Sequence, residues 1–308
     1  MTRQRRTPIT FAPGASTLSD AGRCPRRLAS RSPTRRPLKP SRLTPGFSIP
    51  RSKSSAFPSK ASRLSATSAC PRTQRGRYRW LSDLSESFAA ILPFGIGFLA
   101  VDGPGTGQAP IKVSEHSDRM LSAVIDYAQS RPEVDKTRLA IHGVSWGAYW
   151  ATKMAIVERT RLRGASAQSP PVDAFFQKDF LMNSLIGNRE YLFDQVPALM
   201  SIIEGANNVE EMAAVFPSFS LVKQGLLGQP MAPMLVIGGV KDTQVPIDDL
   251  YLLLSKGDTP KTAWINPQGG HLGRQVKVWP DPLIFKQVII PWLVNTLQAE
   301  NAQAERSH

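Results

Sequence analysis

From residue 97 onward the chain alternates short apolar runs with longer segments of helical spacing, and this alternation leaves few folds open to it. The runs are 97–101 (GFLAV), 139–142 (LAIH), 162–168, 234–239 (MLVIGG) and 262–266 (TAWIN). Each has the length and apolar character of a buried strand. Between them, 116–129, 148–158, 247–255 and about 282–298 read as helices, the first with Met120, Val124 and Tyr127 at core spacing. Strand and helix in turn predict an α/β chain: a parallel sheet with helices on both faces. Upstream, 81–92 has helical spacing, with Leu84, Phe88 and Ile91 on one face and Pro93 as its stop. Residues 170–228 break the alternation with Pro170-Pro171, the aromatic cluster AFFQKDF and helical stretches such as 189–203. They predict a helical lid above one sheet edge.

The connection after 139–142 carries a Gly-x-Ser-x-Gly pentapeptide, Gly143-Val144-Ser145-Trp146-Gly147. By itself the pattern is weak. A strand before it and a helix after it are the context in which such a serine is held on a tight, strained turn with its hydroxyl exposed. The glycines keep the turn free of side-chain clashes. A serine hydroxyl becomes a nucleophile when a base takes its proton. A carboxylate then orients that base and steadies the cation formed. In the α/β-hydrolase order the acid follows the serine and the histidine comes last. Asp242 follows the run MLVIGG and His271 follows TAWIN, each in a loop at the carboxyl edge of the predicted sheet. Asp248 and Asp249 are rival acids, better explained as residues of the next helix's first turn. Of the four histidines, His142 lies within a strand, His116 opens a helix and His308 ends the chain. His271 is therefore the expected base.

The formal charge of +14 raises the question of a nucleic-acid partner. Residues 1–80 hold 19 of the 38 basic residues and one of the 24 acidic ones, leaving 19 basic and 23 acidic residues in 81–308. The basic character thus belongs to an Arg/Ser/Pro-rich segment without a sustained period of 2 or 3.6. Such a segment is expected to be a disordered tail. A targeting peptide, an anionic-surface tail and sequence without a selected role compete to explain it. Its proline density argues against the amphipathic helix of a mitochondrial presequence. Both cysteines, Cys24 and Cys70, lie in it, so no disulfide framework or cysteine-based metal site is expected after residue 80. A reducing, cytoplasmic setting is expected. The sequence has no run of 18 apolar residues for a membrane span.

The stretches VDGPGTGQAPI, GVSWGAYWA, GGVKDTQVP and GGHLGR, in that order, resemble the FrsA-like (DUF1100) branch of the α/β-hydrolases. That branch includes esterases and the 2,6-dihydropseudooxynicotine hydrolases, which cleave a carbon–carbon bond beside a ketone. The resemblance covers about 81–298. It implies a triad of Ser145, Asp242 and His271, with the Trp146 amide as one oxyanion donor. Members of the branch carry a helical N-terminal segment, early strands and a glycine-bearing loop that supplies a second oxyanion donor. No such loop precedes residue 81, so the expectation is the C-terminal two-thirds of a hydrolase lacking its first strands, joined to unrelated sequence. Losing one oxyanion donor costs about 10²–10³ in turnover. GPGTG lacks the Lys-Ser/Thr of a phosphate-binding loop.

The expected organisation is a tail over 1–80, a hydrolase domain over 81–300 with its lid at about 170–228, and a disordered end over 301–308. The expected function is ester hydrolysis through an acyl-serine. Carbon–carbon hydrolysis of a ketone or diketone is the alternative of the same class. An inactive or binding protein whose tail contacts nucleic acid is the alternative of another class. The expected partner is a small-molecule ester or ketone, with no cofactor, no metal, no membrane and no nucleic acid, and a homodimer is allowed. Asp102 is a further candidate for substrate contact. Phe175, Phe176 and Phe180 are candidates for lining an apolar pocket, weighed against a role as the lid's own core.

Overall fold

The computed structural model describes residues 55–56, 65–69, 90–187 and 189–299, all within the compact unit Ser52–His308. The expected tail and C-terminal end fall largely outside these residues. Two short strands inside the former are described, β1 (Ser55–Ala56) and β2 (Ser65–Ala69), where no regular structure was expected. They pair antiparallel, and β2 pairs antiparallel with β3 (Phe98–Ala100). That corrects the placing of β3, whose recorded ladder is with β2 and not with the parallel sheet. An apolar run announces a strand but carries no information about its partner. Residues 81–89 of the expected first helix lie outside the described residues, and 92–94 form a single 3-10 turn.

The rest follows the predicted order. It comprises α1 (Asp118–Ser130), β4 (Ala140–Val144), α2 (Trp146–Val157), β5 (Gly164–Gln168), α3 (Arg189–Ile202) and α4 (Val209–Val215). Then come β6 (Met234–Gly239), α5 (Ile247–Ser255), β7 (Lys261–Asn266), α6 (Asp281–Ile284) and α7 (Ile290–Gln298). In α1 the buried positions are Met120 and Ile125, while Val124 and Tyr127 are only half-buried. The single helix expected over 282–298 is interrupted by a π-helical turn, Phe285–Ile289. Pro291 has no N–H to give the carbonyl four residues back, so the ladder shifts register there.

Strands β4–β5–β6–β7 form a parallel sheet in sequence order, with Gly143 opposite Ala167, Ser166 opposite Leu235 and Gly239 opposite Asn266. Successive β6 side chains face opposite ways. Met234 and Val236 join the cluster containing Tyr149 and Met154 of α2 and Leu250 and Leu253 of α5. Leu235 and Ile237 join Ile284, Phe285, Ile289 and Leu293 of the C-terminal segment. Helices thus cover both faces. At Gly164 a side chain would meet Thr296 at 2.7 Å and Trp292 at 2.9 Å, so glycine lets α7 lie directly on β5. Helix α2 is apolar nearly all round and is buried along most of its length. Its Lys153 is buried too, paired with Asp118 at 3.1 Å and donating to the Glu115 carbonyl. A buried ammonium needs both partners.

His142 of β4 packs edge-on against Phe285, centroids 5.2 Å apart, with both ring nitrogens out of solvent. Burial pushes its pKa down to about 3. An unfolded chain would bind a proton here below pH ~6.5, whereas the folded one would not until about pH 3. This contribution to stability is therefore complete above pH ~6.5 and falls by about 1.4 kcal/mol per unit as the pH drops through that window. Urea midpoints at pH 7 and pH 5 should differ by less for His142→Gln than for wild type. Equal differences would show that the ring is not held neutral.

Candidate active site

Because β4, β5, β6 and β7 run the same way, the chain leaves each of them at one edge of the sheet. Ser145, Ser169, Asp242 and His271 lie in the four connections that follow. Ser145 is the one residue between β4 and α2, at φ 52° and ψ −119°. This sparsely populated conformation turns the backbone from strand to helix in a single step. The flanking glycines are not equivalent. A side chain on Gly143 would come within 1.9 Å of the Gly147 carbonyl oxygen, whereas one on Gly147 would meet nothing within 4 Å. Gly143 alone is required for space. Ser145 occupies the N-cap position of α2, where a serine usually bonds the helix's own N–H groups. Here its side chain makes no cap bond, and Oγ lies 3.1 Å from His271 Nε2. The Trp146 N–H opens the helix and is among those a helix leaves without an internal acceptor.

Asp242 and His271 are brought together by backbone contact. At Gly239 a side chain would lie 2.2 Å from the Gly270 carbonyl oxygen, and Lys241 N–H donates to the Gly269 carbonyl at 2.8 Å. Asp242 Oδ1 accepts from the N–H groups of Gln244 (2.8 Å) and Val245 (3.0 Å). His271 Nδ1 lies 2.9 Å from Oδ2 and 3.1 Å from Oδ1. The Asp242 side chain is 2% exposed and that of His271 11%. Burial opposes ionisation of Asp242, but the His271 ring and the two N–H groups together hold its carboxyl below the usual carboxylate range. The carboxylate thus stays charged at neutral pH against the inner nitrogen of a ring whose outer nitrogen faces Ser145.

The rival acids lie elsewhere. Asp248 is exposed in the first turn of α5. Asp249 lies in the first turn of α5 as expected, but it is fully buried, and helix capping does not account for its carboxylate. Its Oδ1 accepts from the N–H groups of Asp173 (3.0 Å) and Ala174 (2.6 Å), and its Oδ2 from those of Val172 (2.9 Å) and Phe175 (3.2 Å). Burial raises its pKa against the pull of these four donors. It anchors the first segment of the region between β5 and β6 onto α5.

That region packs around the residue after the nucleophile candidate. The Trp146 ring has the centroids of Phe175 (6.0 Å), Phe176 (5.8 Å), Phe216 (5.9 Å) and Phe219 (5.9 Å) around it. Phe175 and Phe176 are buried in this cluster, and Phe180 is half-buried beside Phe175 at 5.4 Å. Asp102 closes its own loop, accepting the Gln108 N–H at 2.9 Å, and is exposed. Gly105 of the same loop, at φ 78°, presses on Ile202 at the end of α3, where a side chain would come within 2.7 Å. Among the described residues no group of three or more His, Cys, Asp or Glu is arranged to hold a metal ion, and no helix is long and apolar enough to cross a membrane.

Ser169 and Gln168 were not singled out from the sequence. Ser169 Oγ lies 2.9 Å from Asp242 Oδ2. The available signal was position, since it follows β5 at the carboxyl edge and precedes Pro170-Pro171.

Comparison with known proteins gives the family and the fold. The family model described as esterase FrsA-like matches residues 80–268. The chain is 26% identical over 167 residues to the esterase FrsA of Serratia proteamaculans, covering 54% of this chain and 39% of that protein. It is 28% identical over 165 residues to the esterase FrsA of Escherichia coli O1:K1, covering 53% and 39%. The chain thus spans about two fifths of the length of these curated relatives. Among solved structures, a 2,6-dihydroxy-pseudo-oxynicotine hydrolase superposes with a TM-score of 0.63 at 17% identity, covering 81% of this chain and 69% of that one. A Pyrococcus furiosus esterase superposes with a TM-score of 0.53 at 18% identity, covering 76% and 86%. The fold is that of the α/β-hydrolases.

Proposed function

The chain belongs to the FrsA-like esterase family, and from that premise we propose that it hydrolyses small carboxylic esters through an acyl-serine formed on Ser145. The observation that carries this reading is the unbroken relay from Ser145 Oγ through His271 to Asp242, at 3.1 Å and 2.9 Å. Ser145 Oγ attacks the ester carbonyl while His271 Nε2 takes its proton. Asp242 keeps the other proton on Nδ1, fixing the tautomer, and balances the imidazolium that forms. The tetrahedral oxyanion accepts the Trp146 N–H at the head of α2, where the helix dipole favours negative charge. His271 then protonates the leaving alcohol. Water, activated by the same imidazole, releases the acid. On this reading Phe180, half-buried at the edge of the aromatic cluster, is assigned to contact with an apolar acyl group.

The test is a panel of p-nitrophenyl esters from acetate to decanoate, run beside aryl 1,3-diketones, with fluorophosphonate labelling in parallel. Ester turnover and a covalent adduct mapped to Ser145 are expected. Diketone cleavage without ester turnover would replace the reading by carbon–carbon bond hydrolysis. Absence of both adduct and turnover would overturn it.

A further inference from the structure

Among the described residues three non-glycine positions have positive φ: Ser145 (52°), Ser169 (52°) and Leu272 (65°). All three stand at the carboxyl edge of the sheet around the same few atoms. Backbone strain gathered in this way points to a constrained function rather than to chance. Ser145 is accounted for by the strand-to-helix turn. The other two are bonded to each other and lie between the acid and the base.

Ser169 Oγ accepts the Leu272 N–H at 2.9 Å and donates to Asp242 Oδ2 at 2.9 Å. The preceding side chain completes the grip, because Gln168 Nε2 donates to the Leu272 carbonyl at 2.8 Å. Two consecutive side chains from the end of β5 thus hold both polar groups of the residue that follows His271. Gln168 is fully buried and Ser169 nearly so. The Ser169 N–H is tied to Ile237 of β6 at 2.7 Å, and Pro170-Pro171 restrict the chain immediately after it. The hydroxyl is a rigid bridge between two loops that meet across β5, β6 and β7.

We propose that Ser169, supported by Gln168, is a positioning residue that sets the separation and orientation of Asp242 and His271. This inference rests on the hydrolase reading. Its chemistry is specific: the hydroxyl must donate to a carboxylate oxygen that His271 also approaches, and must accept from the backbone that carries the ring. Removing it frees one lone pair of Oδ2 and leaves the buried Leu272 N–H without its acceptor. The carboxylate then interacts more strongly with the imidazolium, and the ring sits in a looser loop. The other charged groups near the ring, Asp281 and Arg274, pair with each other at 3.2 Å and are unchanged by the substitution.

Two variants separate the hydroxyl from the backbone strain. Ser169→Ala removes the hydroxyl and keeps the strain, whereas Ser169→Gly removes the hydroxyl and tolerates positive φ. The expected result is the same defect in both: kcat about 10- to 100-fold lower at unchanged KM, with the glycine variant no less stable than the alanine one. The acidic limb of the pH–rate profile is expected to move to higher pH in both. The His271 titration is followed in parallel by NMR on isotope-labelled wild type and variants, which needs no turnover. An upward shift of that titration in both variants supports the proposal. An unshifted titration overturns it, as does a full return of kcat in Ser169→Gly. Failure of the hydrolase reading is seen separately, as wild-type protein that takes no fluorophosphonate at Ser145.

Discussion

Ser145→Ala is expected to lower ester turnover by about 10⁵–10⁶-fold, with the fold and KM nearly intact. The size follows from what the hydroxyl does. It supplies the bond-forming electron pair, and without it the histidine–carboxylate pair can only assist a water that has no fixed position. The fold should be indifferent, since Oγ makes no cap bond in α2 and its recorded partner is His271 Nε2. Alanine must still adopt φ 52°, which serine already does at similar cost, so the thermal midpoint should move little. Turnover, labelling and melting measured on the same preparation check this. A variant that keeps more than a hundredth of wild-type activity would place the nucleophile elsewhere. Asp242→Asn and His271→Ala, made beside it, should lose activity without adding to the loss of Ser145→Ala, because the three residues would act as a unit.

Asp249→Ala is expected to be the most damaging change to stability, at about 3–5 kcal/mol. Four backbone N–H groups, those of residues 172 to 175, converge on one carboxylate that solvent does not reach. Alanine would leave all four without an acceptor in a buried place, and each such orphan is costly. For a domain of this size the thermal midpoint should fall by about 10 °C. Asn is not a rescue, because its amide replaces an acceptor with a donor facing N–H groups. The damage should be local at first. Limited proteolysis of Asp249→Ala below its melting temperature should cut near 170–176 before it cuts the strands. An unchanged melting curve would mean that the four bonds contribute nothing net.

The two residues show different degrees of legibility. The turn at Ser145 could be read because its geometry is local: a strand, a turn needing glycine at 143, and a helix all leave traces within a dozen residues. The loop positions of Asp242 and His271 could be read because chain order and a strand before each loop are also sequence properties. Asp249 was legible as a residue of the first turn of α5, where it lies, but not as the acceptor for the backbone of residues 172–175. Its partners lie more than 70 residues away, and a buried carboxylate looks like an exposed one in sequence. The aromatic residues 175, 176 and 180 showed a cluster in sequence, but neither its further members, Phe216 and Phe219, nor its centre, Trp146. β3 was legible as a strand and not as the partner of β2.

What the sequence by itself determined is the alternation of strand and helix from residue 97, the direction in which the four main strands run, and the identity of the side chains that leave their carboxyl ends. These depend on periodicity, turn chemistry and order along the chain, which are short-range. What only the tertiary structure decided is which contacts hold those side chains in place. Backbone contact of Gly239 with Gly270 sets Asp242 beside His271, and the Ser169 hydroxyl bridges Asp242 and the Leu272 N–H. Such contacts depend on distances between strands far apart in the chain. A hydrogen bond is made or lost over less than an ångström, a scale that no sequence pattern records.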